Sequence, residues 1–386
     1  MILIKNAKIY TMAEGVVEKG SILIKDGKIE EVGKEIIAPL GVETIDAGGR
    51  MLTPGLIDAH CHLGLFEEGI GFEGDDGNEM IDPVTPELRA IDAINPMDIS
   101  FREAYEGGVT TAVTGPGSAN VIGGTFIAIK TFGDRVDKMV IKDPVAMKIA
   151  FGENPKRVYE AQKKSPMTRM ATAAILRETL FKARSYMEKK ENEDESKKPD
   201  FDIKMEALIP VLKKEIPLKA HAHRADDIFT SIRIAKEFDV DLTLDHCTEG
   251  HLIVNELVKE GKSAIVGPTF GNRSKFELKN KSFETPRILV EAGVKIAINT
   301  DSPVIPLQHL ALCAGLAVNS GLDEMEAWKS ITINAAEISG ISERVGSIEK
   351  GKDADLVIFD GNPLRDIDSK VFVTMIDGEV VYRREE

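Results

Sequence analysis

Between Leu52 and about Gly340 short apolar runs alternate with helical stretches. This alternation constrains the fold more than any other feature, because apolar strands separated by helix-length segments assemble as a parallel sheet covered by helices. Eight runs fit as strands: 55–59, 110–114, 126–130, 145–150, 218–222, 241–245, 263–267 and 295–299. Eight strands with intervening helices form a closed (β/α)8 TIM barrel. The chain ends read differently. ILIKNAKIY, SILIKDGKIEEVG and ETIDAGG at the start, and GSIEKGKDADLVIFDG and VFVTMIDGEVVYR at the finish, are strand-like, and Asp26-Gly27 supplies hairpin-turn chemistry. At 386 residues the chain exceeds the usual size of one hydrophobic core. The expectation is an α/β protein in two domains: residues 1–50 plus 346–386 as a small β-sandwich, and 51–345 as the barrel inserted between its halves.

The composition excludes several classes. A formal charge of -15 disfavours nucleic acid, whose phosphates call for clustered Lys and Arg. The apolar runs fall short of the roughly 18 residues of a membrane-spanning helix, and MILIKNAKIYTM does not read as a secretory signal. Cys61, Cys247 and Cys313 form no CxxC pair, which argues against a disulfide framework and for a reducing compartment. A cytoplasmic enzyme acting on a small molecule is expected, with no nucleic-acid or membrane partner; a homo-oligomer is compatible with the sequence.

The first strand ends in Asp58-Ala59-His60-Cys61-His62. Alternation puts His60 and His62 on one face, where two imidazoles can chelate one ion. Of the other five histidines, His221, His223 and His246 lie at or just beyond strand ends, and Asp301 follows the eighth strand. Histidine and carboxylate at the C-terminal ends of several strands converge on the catalytic face of a barrel. A packing explanation would have to account for all of them together. His251 and His309 read as loop residues.

Together with KDGKIEEVG, PGLIDAHCH, GVTTAVT, AHAH, DHC, NTDSP and EKGKDADLVIFD, these residues make nearly the whole chain resemble the amidohydrolase superfamily, in the branch of imidazolonepropionase, metal-dependent prolidases and Xaa-Arg dipeptidases. The resemblance implies that His60, His62 and Asp301 hold one divalent ion and that His221 and His246 hold a second. Zn is the expected metal, with Mn or Fe as alternatives. A bridging anion is implied as well, either a carboxylated Lys on the fourth strand or a Glu. In the run 145–154, alternation points Lys148 into the barrel and leaves Glu153 at the strand end. A buried ammonium is costly and a carbamate between cations relieves it, which favours Lys148 over Glu153.

Bound metal makes hydroxide available near neutral pH and polarises a carbonyl. Asp301 is then the expected general base, with His246 or His223 stabilising the oxyanion. The family resemblance also supports a substrate contact for His223. Arg273, shortly after the seventh strand, and Arg224 are candidate anchors for a substrate carboxylate. The glycines of 115–118 and 123–124 read as tight turns, since neither has phosphate-loop spacing. The expected reaction is hydrolysis of an amide-type C–N bond in a peptide, N-acyl compound or cyclic amide. A deaminase of the same superfamily is the alternative, disfavoured because Arg224 stands where such enzymes place a Glu; a non-catalytic scaffold ranks lower. Segments 64–92 and 156–200 are candidate lids, although 188–198 is charged enough to be a solvated excursion. Specificity is expected to lie in loops 64–92, 153–200 and 268–285.

Overall fold

The computed structural model describes residues 1–37, 40–67 and 71–385. The chain starts with β1 (Ile2–Tyr10), β2 (Val16–Lys25), β3 (Lys28–Gly33), β4 (Glu43–Asp46) and β5 (Met51–Pro54). A second set of strands follows: β6 (Leu56–Cys61), β7 (Val109–Thr114), β8 (Ile122–Lys130), β9 (Val140–Ala150), β10 (Leu218–Ala222), β11 (Leu242–His246), β12 (Ala264–Val266) and β13 (Ile296–Ile298). The chain finishes with β14 (Leu356–Phe359), β15 (Val371–Ile376) and β16 (Glu379–Arg383).

Strands β6 to β13 form one sheet in sequence order, and all eight expected runs lie in it. The hydrogen-bonded path stops at β6 and β13, where side chains join the ends. The Asp58 carboxylate accepts from the Thr300 amide at 2.8 Å and its hydroxyl at 2.6 Å, while Asn299 Nδ2 donates to the His60 carbonyl at 3.2 Å. Inside the ring, Ile57, Ala59, Val113, Phe126, Ala128, Ala146, Ile265 and Ala297 pack as a separate core. Outside it, Met147, Ile149, Leu218, Ala220 and Leu244 meet the helices. The two clusters are the two faces that strand alternation creates.

The expectation of parallel strands joined by helices fails at the third strand. β8 runs antiparallel to both β7 and β9. The reason is the link between β7 and β8: residues 115–121 fall short of the dozen or so that a parallel crossover needs. Because β8 is reversed, its first half lies beside the ends of β7 and β9 that carry the chemistry, as the pairing of Gly124 with Lys148 requires.

The other sheet draws on both chain ends, in the order β16-β15-β14-β5-β1-β2-β3 with β4 on β1. Leu356, Ile358, Val373 and Met375 join Ile4, Ile22 and Ile24 in its own core, while Val357, Phe359 and Val371 turn to the barrel cluster. A buried ion cluster ties the two sheets together: the Lys130 ammonium, at the far end of β8, lies 2.6 Å from Asp355, 2.9 Å from Asp353 and 3.0 Å from Asp377. Among the described residues no helix is long and apolar enough to cross a membrane. The three cysteines are buried free thiols.

Candidate metal centre

The strand ends bring the expected side chains together in two adjoining groups. His60, His62 and Asp301 offer ligand atoms within 4.8 Å of one another, and so do His221, His223 and His246. His60 Nε2 and His62 Nε2 stand 3.3 and 3.2 Å from Asp301 Oδ1. Two donors sharing a tetrahedral ion at about 2.1 Å stand roughly 3.4 Å apart, so this spacing suits a common cation. The groups touch through His60 and His246, whose ring centres are 5.1 Å apart.

Each of three rings is aimed by its other nitrogen. His62 Nδ1 meets the Gly115 carbonyl at 2.6 Å, His246 Nδ1 meets the Gly267 carbonyl at 2.7 Å, and His223 Nδ1 meets Thr248 Oγ1 at 2.8 Å. A backbone carbonyl accepts only, so His62 and His246 each donate from Nδ1, which turns Nε2 to the centre. His60 Nδ1 lies 3.1 Å from Asp245 Oδ2, and the Asp245 carboxylate is itself held by Lys219 Nζ at 3.0 Å. Phe126 stacks on His60 with centroids 5.3 Å apart and forms the floor.

Burial and neighbouring charge set the protonation states. Burial pushes His246 down to about 3, against the pull of Asp301, and drives His221 and His223 well below the usual imidazole range. The rings are therefore neutral at neutral pH, the form that ligates a metal. Burial alone would raise Asp301, but His246, His60 and His62 around it hold its carboxyl well below the ordinary value. Lys148 is fully buried with Nζ 3.4 Å from His60 Nε2, and burial lowers it to about 8 in spite of Asp245 and Asp301. The donor set fits a cation on an internal criterion as well: His221 Nε2, His246 Nε2 and Asp301 Oδ1 are buried polar atoms with no hydrogen-bond partner. Such atoms are rare in folded proteins unless an ion or water serves them.

Some candidates lie elsewhere. Glu153 starts the helix Glu153–Ala161 and is in neither group, because the positive φ of 81° at Gly152 turns the chain away at the end of β9. Arg273 does not face the cleft as a free anchor. Its guanidinium donates to the carbonyls of Lys279 and Lys281, both at 3.0 Å, and braces its own loop. Arg224 pairs with Asp226 at 2.9 Å. His251 bonds Thr285, and His309 is exposed at the end of the 3-10 turn Leu307–His309 rather than in a loop. Of the candidate lids, Phe66 and Asn78 from 64–92 line the cleft, while 68–70 lie outside the described residues. In 156–200 Arg157 lines it, the helix Arg169–Lys190 packs on the helices Ile203–Leu212 and Ala225–Phe238, and 188–198 is exposed throughout.

Three residues were not anticipated. Lys219 shares a face with His221 by alternation, a signal present in PLKAHAH. Asp245 precedes His246, and alternation would send it outward. Glu277, from the loop after β12, is buried with Oε1 3.7 Å from His221 Nε2 and 3.6 Å from His223 Nε2. Over all of these opens a cleft of about 640 Å³, whose wall includes His62, His221, His223 and Asp301.

A barrel with inward histidines and an acid at its strand ends defines a class of metal-binding barrel enzyme. Comparison with known proteins narrows it: the amidohydrolase family model matches residues 51–382, and the chain belongs to that family. It is thus a hydrolase acting on carbon–nitrogen bonds. A crystal structure of an amidohydrolase from Thermotoga maritima superposes with a TM-score of 0.96 at 45% identity, over 100% of both chains. The imidazolonepropionase of Mesorhizobium japonicum is 26% identical, covering 92% of this chain and 91% of its own. The amidohydrolase tasK of Hapsidospora irregularis is 29% identical over 89% of this chain, which spans only 38% of the length of that relative.

Proposed function

We propose that the protein hydrolyses an amide-type bond, in a peptide, an N-acyl compound or a cyclic amide, with divalent metal held by the two groups of side chains. One ion would be held by His60, His62 and Asp301 and another by His221 and His246, with His223 beside them and Lys148 between. Zn is the first choice, since imidazole and carboxylate are its common ligands. The observation that carries the reading is the convergence of imidazole Nε2 atoms and one ionised carboxylate in two groups within reach of each other. A divalent ion bound there supplies a lowered pKa for water and a polarised substrate carbonyl.

The chain's own residues do the rest. Asp301, ionised at neutral pH and facing the cleft, takes a proton from the attacking water and returns it to the departing nitrogen. His223 sits on the cleft wall within reach of a developing oxyanion, and His246, fixed on the Gly267 carbonyl, is the second candidate for that role. Phe126 and Phe66 close the apolar side around His62 and limit water to the cleft. Lys148, with its lowered pKa, carries enough neutral amine near pH 7 to 8 to take up carbon dioxide as a carbamate, whose negative charge two cations would stabilise. Arg157 on the wall suits a substrate that bears a carboxylate, a role for which it is better placed than Arg273.

The test is elemental analysis of the purified protein, followed by a screen of the metal-loaded enzyme on dipeptides, N-acyl amino acids and cyclic amides with ammonia release followed in parallel. Bound metal with turnover of one of these classes is expected. A protein that takes up no divalent metal from replete medium removes the proposal, and ammonia release from an amidine substrate would turn it into a deaminase.

A further inference from the structure

Glu277 has no place in the ligand set read from the strands. It belongs to the 3-10 turn Phe276–Leu278, in a loop that supplies Phe270, Ser274, Lys275 and Lys281 to the cleft wall. Yet its carboxyl is more deeply buried than any surface loop requires, at 1% exposure. Its two oxygens have different surroundings. Oε2 accepts from the Glu153 amide at 2.9 Å, and Gly152 leaves the space for it: a Cβ there would come within 2.5 Å of that oxygen. Oε1 points the other way, to Nε2 of His221 and His223 at 3.7 and 3.6 Å, with the Lys275 ammonium at 2.7 Å.

The distances to the imidazoles decide the matter. They are too long for hydrogen bonds, so His221 Nε2 and Glu277 Oε1 face each other as buried polar atoms without a hydrogen-bond partner, with the Lys275 ammonium reaching Oε1 from one side. Donors that share one ion through bonds of about 2.1 Å stand roughly 3.4 Å apart, near the spacing seen. We propose that Glu277 is a further ligand of the second ion, the one held by His221 and His246, reaching it from the side of His223, and that this ion therefore fastens the loop 268–284 onto the barrel. The inference rests on the metal reading above and goes beyond it in making one wall of the substrate cleft depend on metal. Lys275 shares Oε1 and so competes with the ion. The loop has internal braces of its own, Arg273 on two carbonyls and Lys281 on the carbonyls of Gly271 and Asn272, both at 2.9 Å, so it would move as a unit when Glu277 is released.

The experiment uses the full chain and zinc alone. Zinc affinity is measured by competition with a chromophoric chelator for the unaltered protein, Glu277→Gln and Lys275→Met, and hydrogen exchange of 268–284 is followed with and without zinc. Glu277→Gln is expected to weaken one zinc at least about tenfold, the lower end of what losing even an outer-shell partner costs. Lys275→Met is expected to hold that zinc as tightly or more tightly, and zinc removal to raise exchange in 268–284 of the unaltered protein. If Glu277→Gln does not fold, Glu277→Asp replaces it, with the charge withdrawn by one methylene and the same loss expected. Zinc affinity of the Glu277 variant within twofold of the unaltered protein overturns the inference while leaving the metal reading intact. So does an equal loss in Lys275→Met, which would make the pair a mere loop brace. A protein that binds no zinc at all sinks both readings.

Discussion

Lys130→Met tests what joins the two sheets. The ammonium of Lys130 is buried among Asp353, Asp355 and Asp377, and burial would lower its pKa, but the three carboxylates raise it above the ordinary 10.5. Asp353 keeps other cations when Lys130 is removed, since Lys28 and Arg344 also pair with it. Asp355 does not: apart from Lys130 at 2.6 Å, its support is the Asp377 amide at 2.9 Å. Removing one partner of a buried pair costs about 3–5 kcal/mol, and the remaining cations on Asp353 place this case near the lower end. With an unfolding entropy of about 2.1 cal/mol/K per residue, a chain of 386 residues has ~0.8 kcal/mol/K, so Tm falls by about 4 °C at pH 7.5. The loss has a pH signature. Burial already raises Asp355 above its ordinary value, and without Lys130 it rises further. Above the unfolded carboxyl pKa the native variant then binds more protons than the unfolded chain, so its stability falls as pH rises. In the unaltered protein the raised pKa of Lys130 gives stability that is fully present below 10.5 and lost only as pH climbs through the folded value. The deficit should therefore be smaller at pH 5 than at pH 7.5 in scanning calorimetry. A shift under about 1 °C, or an equal deficit at both pH values, refutes the account of the cluster.

Asp301→Asn should lower turnover at least about 100-fold, the low end of what a positioned general base contributes, while circular dichroism stays unchanged; undiminished turnover removes Asp301 as the base. Stripping metal with a chelator should lower Tm by about 3 °C for each ion that was held at roughly 100 times its Kd, a stabilisation of ~2.7 kcal/mol per ion, and an unmoved Tm would mean the histidines bind nothing. Intact-mass measurement under native conditions should find one carbon dioxide on Lys148 that is absent from Lys148→Ala; an unmodified Lys148 in the metal-loaded protein counts against it as the bridge. Gly152→Ala should destabilise by about 1–3 kcal/mol, because its φ of 81° strains any L side chain and the new Cβ meets Glu277. Urea unfolding that shows no loss would mean the Glu277 carboxyl is not seated there.

The barrel was legible because its signal is periodic. The eight runs are buried apolar segments set apart by helical stretches, and in β9 the two faces can be told apart, since Met147 and Ile149 join the outer cluster and Lys148 is turned inward. Periodicity does not carry direction, however, and the reversed third strand was missed for that reason. The signal that could have revealed it was a length: 115–121 is glycine-rich and too short to return a chain for a parallel partner. The two-ended sheet was legible from the strand-like termini, since β14 pairs with β5.

The site divides along the same line. His60, His62, His221 and His223 follow from alternation along β6 and β10, and the same reasoning reaches Lys219. Asp245 and His246 are adjacent, so alternation would put them on opposite faces, yet both serve the interior: Asp245 lies 3.1 Å from His60, and His246 belongs to the second group. What makes this possible is the backbone at the end of β11, where His246 and Cys247 take positive φ values of 70° and 45°; Asp301 has the same feature at 55°. A left-handed conformation costs a non-glycine residue on the order of 1–2 kcal/mol, and it persists only where the surroundings impose it. Here the Gly267 carbonyl on His246 Nδ1 and the histidines around Asp301 do so. Glu277 lies further still from any periodic rule, in a loop whose conformation is set by Arg273 and Lys281 bonding to its own carbonyls. The residues hardest to read are thus those held by tertiary contact alone, and in this chain they are the ones that turn a row of strand-end histidines into a closed centre with a wall.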